Sequence, residues 1–78
     1  MKKFDGEKLR DEREKQELSL IDLMIKMREK GFDISHQAIM NWELGRTIPD
    51  ANAVSILSQI FEKDINFFFS ENLSKKVN

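Results

Sequence analysis

The sequence predicts an all-α domain of five short helices, and three observations support this. Residues that break helices are scarce, with one proline and three glycines among 78 residues. Most apolar side chains recur at intervals of three or four, which is the spacing of one helix face. Ser19, Ser35 and Asp50 each stand immediately before such a segment, where a short polar side chain can cap the first helical turn. An apolar content of 40% is enough for one modest core, and so for one domain.

The first two helices have recognisable ends. Acidic residues favour a helix start near Asp5, and the first helix should run to about Gln16. Ser19 caps the second helix, which should continue to a stop at Gly31. The side chains expected to face inward from these segments are Phe4, Leu9, the stem of Arg13, Leu20, Leu23, Met24 and Met27.

The segment from Ser35 to Gly45 predicts a third, short helix with two different faces. Ala38, Ile39 and Trp42 form an apolar stripe that should be buried. The side chains left to point elsewhere are His36, Gln37, Met40 and Asn41. Glutamine and asparagine can make paired hydrogen bonds to adenine in the major groove, whereas a merely solvated helix more often carries glutamate and lysine. This helix is therefore a candidate for reading DNA.

The second half of the chain adds two more predicted helices. Arg46 to Pro49 should be an extended connection, because the residue before a proline is pushed out of helical geometry. The fourth helix should run from about Ala51 to Glu62, and a short fifth helix should begin after Asp64. The side chains expected to face inward from the fourth helix are Ala53, Val54, Leu57, Ile60 and Phe61, and the apolar residues of the fifth helix are Ile65, Phe67, Phe68 and Phe69. We expect the domain to occupy residues 1–69 and a polar tail residues 70–78.

Composition argues against several classes of protein. Without cysteine the chain has neither disulfides nor thiolate metal sites, and one histidine is too few for most zinc sites. It has no glycine-rich phosphate loop, so we expect no enzyme, no cofactor and no small-molecule substrate. The apolar runs are too short for a membrane span and no signal peptide is recognised, which makes a cytoplasmic protein the default. The net charge of −1 argues weakly against a nucleic-acid partner, so local placement of charge must decide.

A series of short motifs resembles a known family. The matching elements, in order, are Leu9-Arg10, Arg13, Leu18-Ser19, Leu23, Ile34-Ser35 to Ile39, Trp42-Glu43, Gly45, Pro49 and Asp64-Ile65. Over roughly Phe4 to Phe69 the chain is similar to helix-turn-helix domains of the Cro and phage-repressor type, the xenobiotic response element family. The resemblance implies a lambda-repressor-like domain whose third helix enters the major groove of duplex DNA. It also implies a sequence-specific transcriptional regulator, with repression by operator occupancy as the expected action.

The resemblance assigns roles to individual residues of this chain. The candidates for contacts with base edges are His36, Gln37, Asn41 and Met40, although apolar packing or a partner contact is the favoured interpretation of Met40. The candidates for phosphate contacts are Ser19, Ser35, Arg46 and Thr47. Family members also pair an arginine of the first helix with a glutamate at the end of the third, which implies an Arg13–Glu43 ion pair here.

The chain also departs from the family pattern. Leu20 stands where the family has a phosphate-contacting glutamine, and the connection between the second and third helices is lengthened. The cations of this longer segment, Lys26, Arg28 and Lys30, are candidates for replacing the lost phosphate contact.

Phe67, Phe68 and Phe69 cannot all face the same way on a short helix. At least one should be exposed in a monomer, which predicts a homodimer contact made by these three residues. The alternative is a core closed by the tail, with Leu73 and Val77 folding back. The exposed phenylalanines, Leu20 and the near-neutral charge also keep a second function open, a helix-turn-helix scaffold used as a protein-interaction module or antitoxin-like partner.

Overall fold

Four α-helices and a small two-stranded antiparallel sheet make up the fold in the computed structural model, which describes residues 1–71. The helices are α1 (Gly6–Lys15), α2 (Leu20–Glu29), α3 (His36–Glu43) and α4 (Ala51–Phe61). A single 3-10 helix (Ile65–Phe68) follows α4, and strands β1 (Lys2–Phe4) and β2 (Phe69–Glu71) flank the helices. No helix in these 71 residues has the length and apolarity needed to cross a bilayer.

The prediction of an all-α domain with five helices is wrong at both ends of the chain. Phe4 pairs with Phe69 and Lys2 with Glu71, so β1 and β2 form a short antiparallel ladder. The segment expected to be the fifth helix is a 3-10 turn over Ile65–Phe68, and it runs directly into β2. The backbone is extended from Phe69 onward, and aromatic residues favour such strand conformations. Ser70 and Glu71, expected to begin the polar tail, belong to β2. The rest of that tail, residues 72–78 with Leu73 and Val77, lies outside the described residues.

The helix starts follow the capping signals in the sequence. Ser35 Oγ accepts the Ala38 N–H at 3.1 Å, and Asp50 Oδ1 accepts the Ala53 N–H at 2.8 Å. Asp5 precedes α1 as its cap, so this helix begins one residue later than expected. These bonds satisfy backbone donors that no carbonyl within the helix can reach.

The connection between α2 and α3 comprises residues 30–35. Helix α2 ends at Glu29, and Gly31 then takes a left-handed conformation with φ at +87°. Phe32 and Ile34 are half-buried and pack against the core. The connection is therefore fixed by its own apolar side chains rather than by a longer helix.

The core lies between the four helices and the 3-10 turn. Its largest fully buried side chains are Leu9, Leu23, Met27, Ile39, Leu57 and Phe68. Helix α1 also approaches α3 closely at Gly6, where a Cβ would stand 2.6 Å from the Glu43 carbonyl oxygen and closer still to that of Trp42. The start of α1 and the end of α3 are thus in backbone contact, which fixes the position of α3 on the domain.

Candidate nucleic-acid interface

Helix α3 buries one face and presents the other. Ile39 is fully buried and Trp42 is 6% exposed, so the indole belongs to the core and cannot stack on a base. The first turn carries no acidic residue, and Ser35 caps it. The N–H groups at the start of a helix that lack intrahelical partners carry partial positive charge, which suits a nearby phosphate.

The predicted base-contacting side chains lie on the outer part of α3. Gln37 is exposed and Asn41, one helical turn later, is half-buried, as is His36. In residues 1–71, none of the side-chain hydrogen bonds involves these three residues. Their amide and imidazole groups are therefore available to an external partner.

Arg46 and Thr47 are brought back beside Asn41 by the turn that ends α3. Gly45 adopts a left-handed conformation with φ at +77°, and the Arg46 and Thr47 N–H groups both donate to the Asn41 carbonyl, at 2.9 and 3.4 Å. Both side chains are exposed. No salt bridge of the described part of the chain includes Arg46. The backbone of Arg46 therefore lies next to Asn41, and its exposed side chain begins at the end of the helix that carries His36, Gln37 and Asn41.

Arg13 holds α3 against the rest of the domain. Its Nε donates to Glu43 Oε2 at 2.7 Å and its Nη2 to Glu43 Oε1 at 3.0 Å, with both side chains almost completely buried. The third nitrogen, Nη1, donates to the Leu18 carbonyl at 2.7 Å, an acceptor that sequence reasoning missed. The hydrogen bond to Glu43 raises the pKa of Arg13 above its ordinary value. One guanidinium thus joins α1, α3 and the loop before α2 in a bidentate, charged contact.

The start of α2 is less suited to a phosphate than the resemblance implies for Ser19. Ser19 and Asp22 form a reciprocal capping box, with both hydrogen bonds at 2.9 Å. The Ser19 backbone N–H, and secondarily its hydroxyl, lower the pKa of Asp22, so this carboxylate is ionised at neutral pH. A negative charge therefore occupies the helix end at which a phosphate would bind.

The three cations of α2 and its C-terminal end do not form one cluster. Lys26 and Lys30 line an open groove of about 320 Å³ against α4, together with Glu29 and Glu62. Arg28 instead lies with its Nε 3.7 Å from Asp33 Oδ1 in the connection to α3. Each of these three cations therefore has a carboxylate nearby.

The Met40 side chain lines a cleft that His36, Gln37 and Asn41 do not line. The cleft has a volume of about 250 Å³ and lies between α1, the start of α2 and the end of α3. Leu20 and Leu44 line it with Met40, and Arg10 and Glu14 lie at its edge. Leu44 was not among the predicted site residues. Its position four residues after Met40 could have identified it, because residues four apart lie on the same side of a helix.

The prediction that all three phenylalanines make a dimer contact is wrong for Phe68. This side chain is fully buried, with Phe4 and Phe61 rings at centroid distances of 6.3 and 6.2 Å. Phe67 and Phe69 are half-buried, so part of each ring is already covered within the chain. The Lys8 and Lys63 ammonium groups lie 5.6 and 5.0 Å from the Phe67 ring centre. The Phe67 ring meets the Phe68 ring edge-to-face at 5.2 Å, and the Phe69 ring meets the Phe4 ring in the same way at 5.9 Å.

The chain matches no protein-family model, no curated protein and no solved structure.

Proposed function

We propose that the chain is a sequence-specific DNA-binding transcriptional regulator with a lambda-repressor-like helix-turn-helix arrangement, in which α3 enters the major groove. The observation that carries this proposal is the set of polar side chains on α3, His36, Gln37 and Asn41, which make no side-chain hydrogen bond within residues 1–71 and are followed by the exposed Arg46. Gln37 and Asn41 have the chemistry to recognise adenine, and His36 adds a further donor or acceptor. Arg46 and Thr47 supply backbone contacts at the point where the chain leaves the groove.

Local charge supports the proposal despite the net charge of −1. The segment from His36 to Thr47 contains one acidic residue, Glu43, and one basic residue, Arg46. Glu43 is buried and paired with Arg13, so its charge does not face a phosphate. The exposed charge of this segment is therefore positive, which is what a polyanion requires of the surface that it contacts.

The proposed mode of action is occupation of an operator by a homodimer. Helix-turn-helix dimers place their reading helices about one turn of DNA apart, so the operator should contain two half-sites. With Phe68 buried, the proposed dimer contact is confined to the exposed parts of Phe67 and Phe69. Sedimentation of the protein with and without operator DNA measures the stoichiometry directly.

The test is selection from a pool of random duplexes at about 50 and 200 mM salt, a range over which phosphate contacts lose much of their contribution. We expect an enriched motif for the native protein. Gln37→Ala should relax the preference at one base pair by about 1–3 kcal/mol, and Arg46→Ala should weaken binding to all sequences and reduce the salt dependence. Gln59→Ala on α4 removes the same amide as Gln37→Ala, and Lys2→Ala in β1 removes one positive charge as Arg46→Ala does, so both serve as controls at exposed positions elsewhere. Absence of enrichment at the lower salt concentration would contradict the proposal.

A second candidate, a protein-interaction module, is favoured by apolar exposure on α2. Ile21 and Ile25 lie one turn apart and are 49% and 42% exposed. Together with the capping carboxylate of Asp22, they make the start of α2 a better surface for a protein than for a phosphate. If no duplex is enriched, Ile21→Ser with Ile25→Ser should abolish binding of a protein partner while leaving the fold intact.

A further inference from the structure

The cleft lined by Leu20, Met40 and Leu44 has no unpaired charge. Arg13 and Glu43 neutralise each other at its inner end, and Arg10 Nε donates to Glu14 Oε2 at 3.2 Å at its edge. The remaining lining is aliphatic or thioether surface. Such a cleft favours a small apolar group over an ion or a hydrogen-bonding group.

The cleft adjoins the polar side chains of α3. His36, Met40 and Leu44 follow each other at intervals of four and so share one stripe of α3, beside the stripe that carries Gln37 and Asn41. Leu20 completes the cleft from α2, where Arg13 fixes the preceding Leu18 carbonyl and Ser19 caps the helix. Helices α2 and α3 therefore hold these apolar side chains in place before any partner binds.

From this juxtaposition we infer that the Leu20–Met40–Leu44 cleft receives the 5-methyl group of a thymine in the bound operator. The inference rests on the proposed DNA-binding function. Thymine carries the apolar group that the major groove displays, and it distinguishes thymine from the other bases. An operator thymine next to the base pair read by Gln37 or Asn41 can place its methyl group beside Met40. Met40 and Leu44 are then specificity-determining residues. Leu20 then makes an apolar contact with a base, where the family has a glutamine that contacts a phosphate.

The experiment replaces each thymine of the enriched operator in turn by deoxyuridine, which removes the methyl group and leaves the hydrogen-bonding edges unchanged. The unaltered protein should lose about fourfold in affinity at one position of each half-site, the value of burying one methyl group. Leu44→Ser, at a position that is 52% exposed, should bind the thymine and uracil duplexes equally, and Met40→Ala should do the same. Ile48→Ser is the matched control, because Ile48 is 71% exposed and does not line the cleft.

The outcomes separate this inference from the function on which it rests. Enrichment of a motif with no loss on uracil substitution overturns the methyl contact and leaves DNA binding standing. Loss on uracil substitution that persists in Leu44→Ser and Met40→Ala also overturns it, because the methyl group is then recognised elsewhere. If no duplex is enriched, both proposals are wrong. Thermal melts of each variant, followed by circular dichroism, show whether it is folded at the assay temperature.

Discussion

Substitution of Arg13 tests how the domain holds its third helix. The guanidinium makes three hydrogen bonds of 2.7–3.0 Å, two to Glu43 and one to the Leu18 carbonyl. Hydrogen bonds to charged groups contribute about 1.5–3 kcal/mol each. Arg13→Lys keeps the charge but cannot reproduce the fork, so we expect it to lower the free energy of unfolding by about 2–4 kcal/mol. Arg13→Met should cost about 3–5 kcal/mol, because it also leaves the Glu43 carboxylate buried and unpaired.

Urea denaturation at pH 7, followed by circular dichroism, measures these losses. The double variant Arg13→Met with Glu43→Leu should recover most of the stability, since two apolar groups of similar size need no partner. The resulting coupling energy should exceed about 2 kcal/mol. Arg10→Met is the matched control, because Arg10 and Glu14 form an exposed pair one turn apart, for which we expect less than about 0.5 kcal/mol. Equal losses for Arg13→Met and Arg10→Met would refute the argument that the buried pair anchors α3.

Three further predictions concern helix ends. Asp22 has a lowered pKa because it accepts the backbone N–H at the start of α2, so its stabilising effect is complete above its ordinary pKa of 3.8 and is lost as the pH falls towards the folded value. The melting temperature of Asp22→Asn should therefore approach that of the native protein as the pH falls below 3.8, and a difference that stays constant down to low pH would contradict this explanation. Gly6→Ala should destabilise by more than about 1 kcal/mol in urea denaturation despite alanine's higher helix propensity, because its Cβ meets backbone carbonyls of α3. At Gly31 an added Cβ has no atom within 4 Å, so Gly31→Ala should cost only the free energy of a left-handed alanine, about 1–2 kcal/mol. Glu62 ends α4 in the left-handed region, with φ at +54°. Glu62→Gly should therefore raise the free energy of unfolding by about 0.5–1 kcal/mol, and a decrease would contradict this explanation.

The helices could be predicted from the sequence because their signals are local. Ser19, Ser35 and Asp50 cap the segments that follow them, and a cap depends on only three or four residues. The sheet could not be predicted, because each strand has only three residues and pairs with a segment at the other end of the chain. A period-two pattern needs more residues than that to be recognised.

The sequence predicts the exposure of some residues at the candidate interface but not the placement of others. The exposure of Gln37 follows from its place on a short helix whose other face is apolar. The position of Lys26 and Lys30 beside α4 depends on how two helices pack, which no motif encodes. Burial of Phe68 likewise requires Phe4, brought to it by the sheet. Exposure that depends on one helix could therefore be predicted, whereas positions that depend on tertiary packing could not, apart from the Arg13–Glu43 pair that the family resemblance implies.

The pairing of β1 with β2 has a consequence for the order of folding. The Phe4–Phe69 pair closes a loop that contains all four helices. The entropic cost of closing this loop becomes small only after the helices have brought the two strands together. The sheet should therefore form after the helical core and open before it. Amide hydrogens of the ladder should exchange with solvent faster than those of Leu23 and Leu57 in the core, and mechanical load applied at the two strands should open the ladder one hydrogen bond at a time.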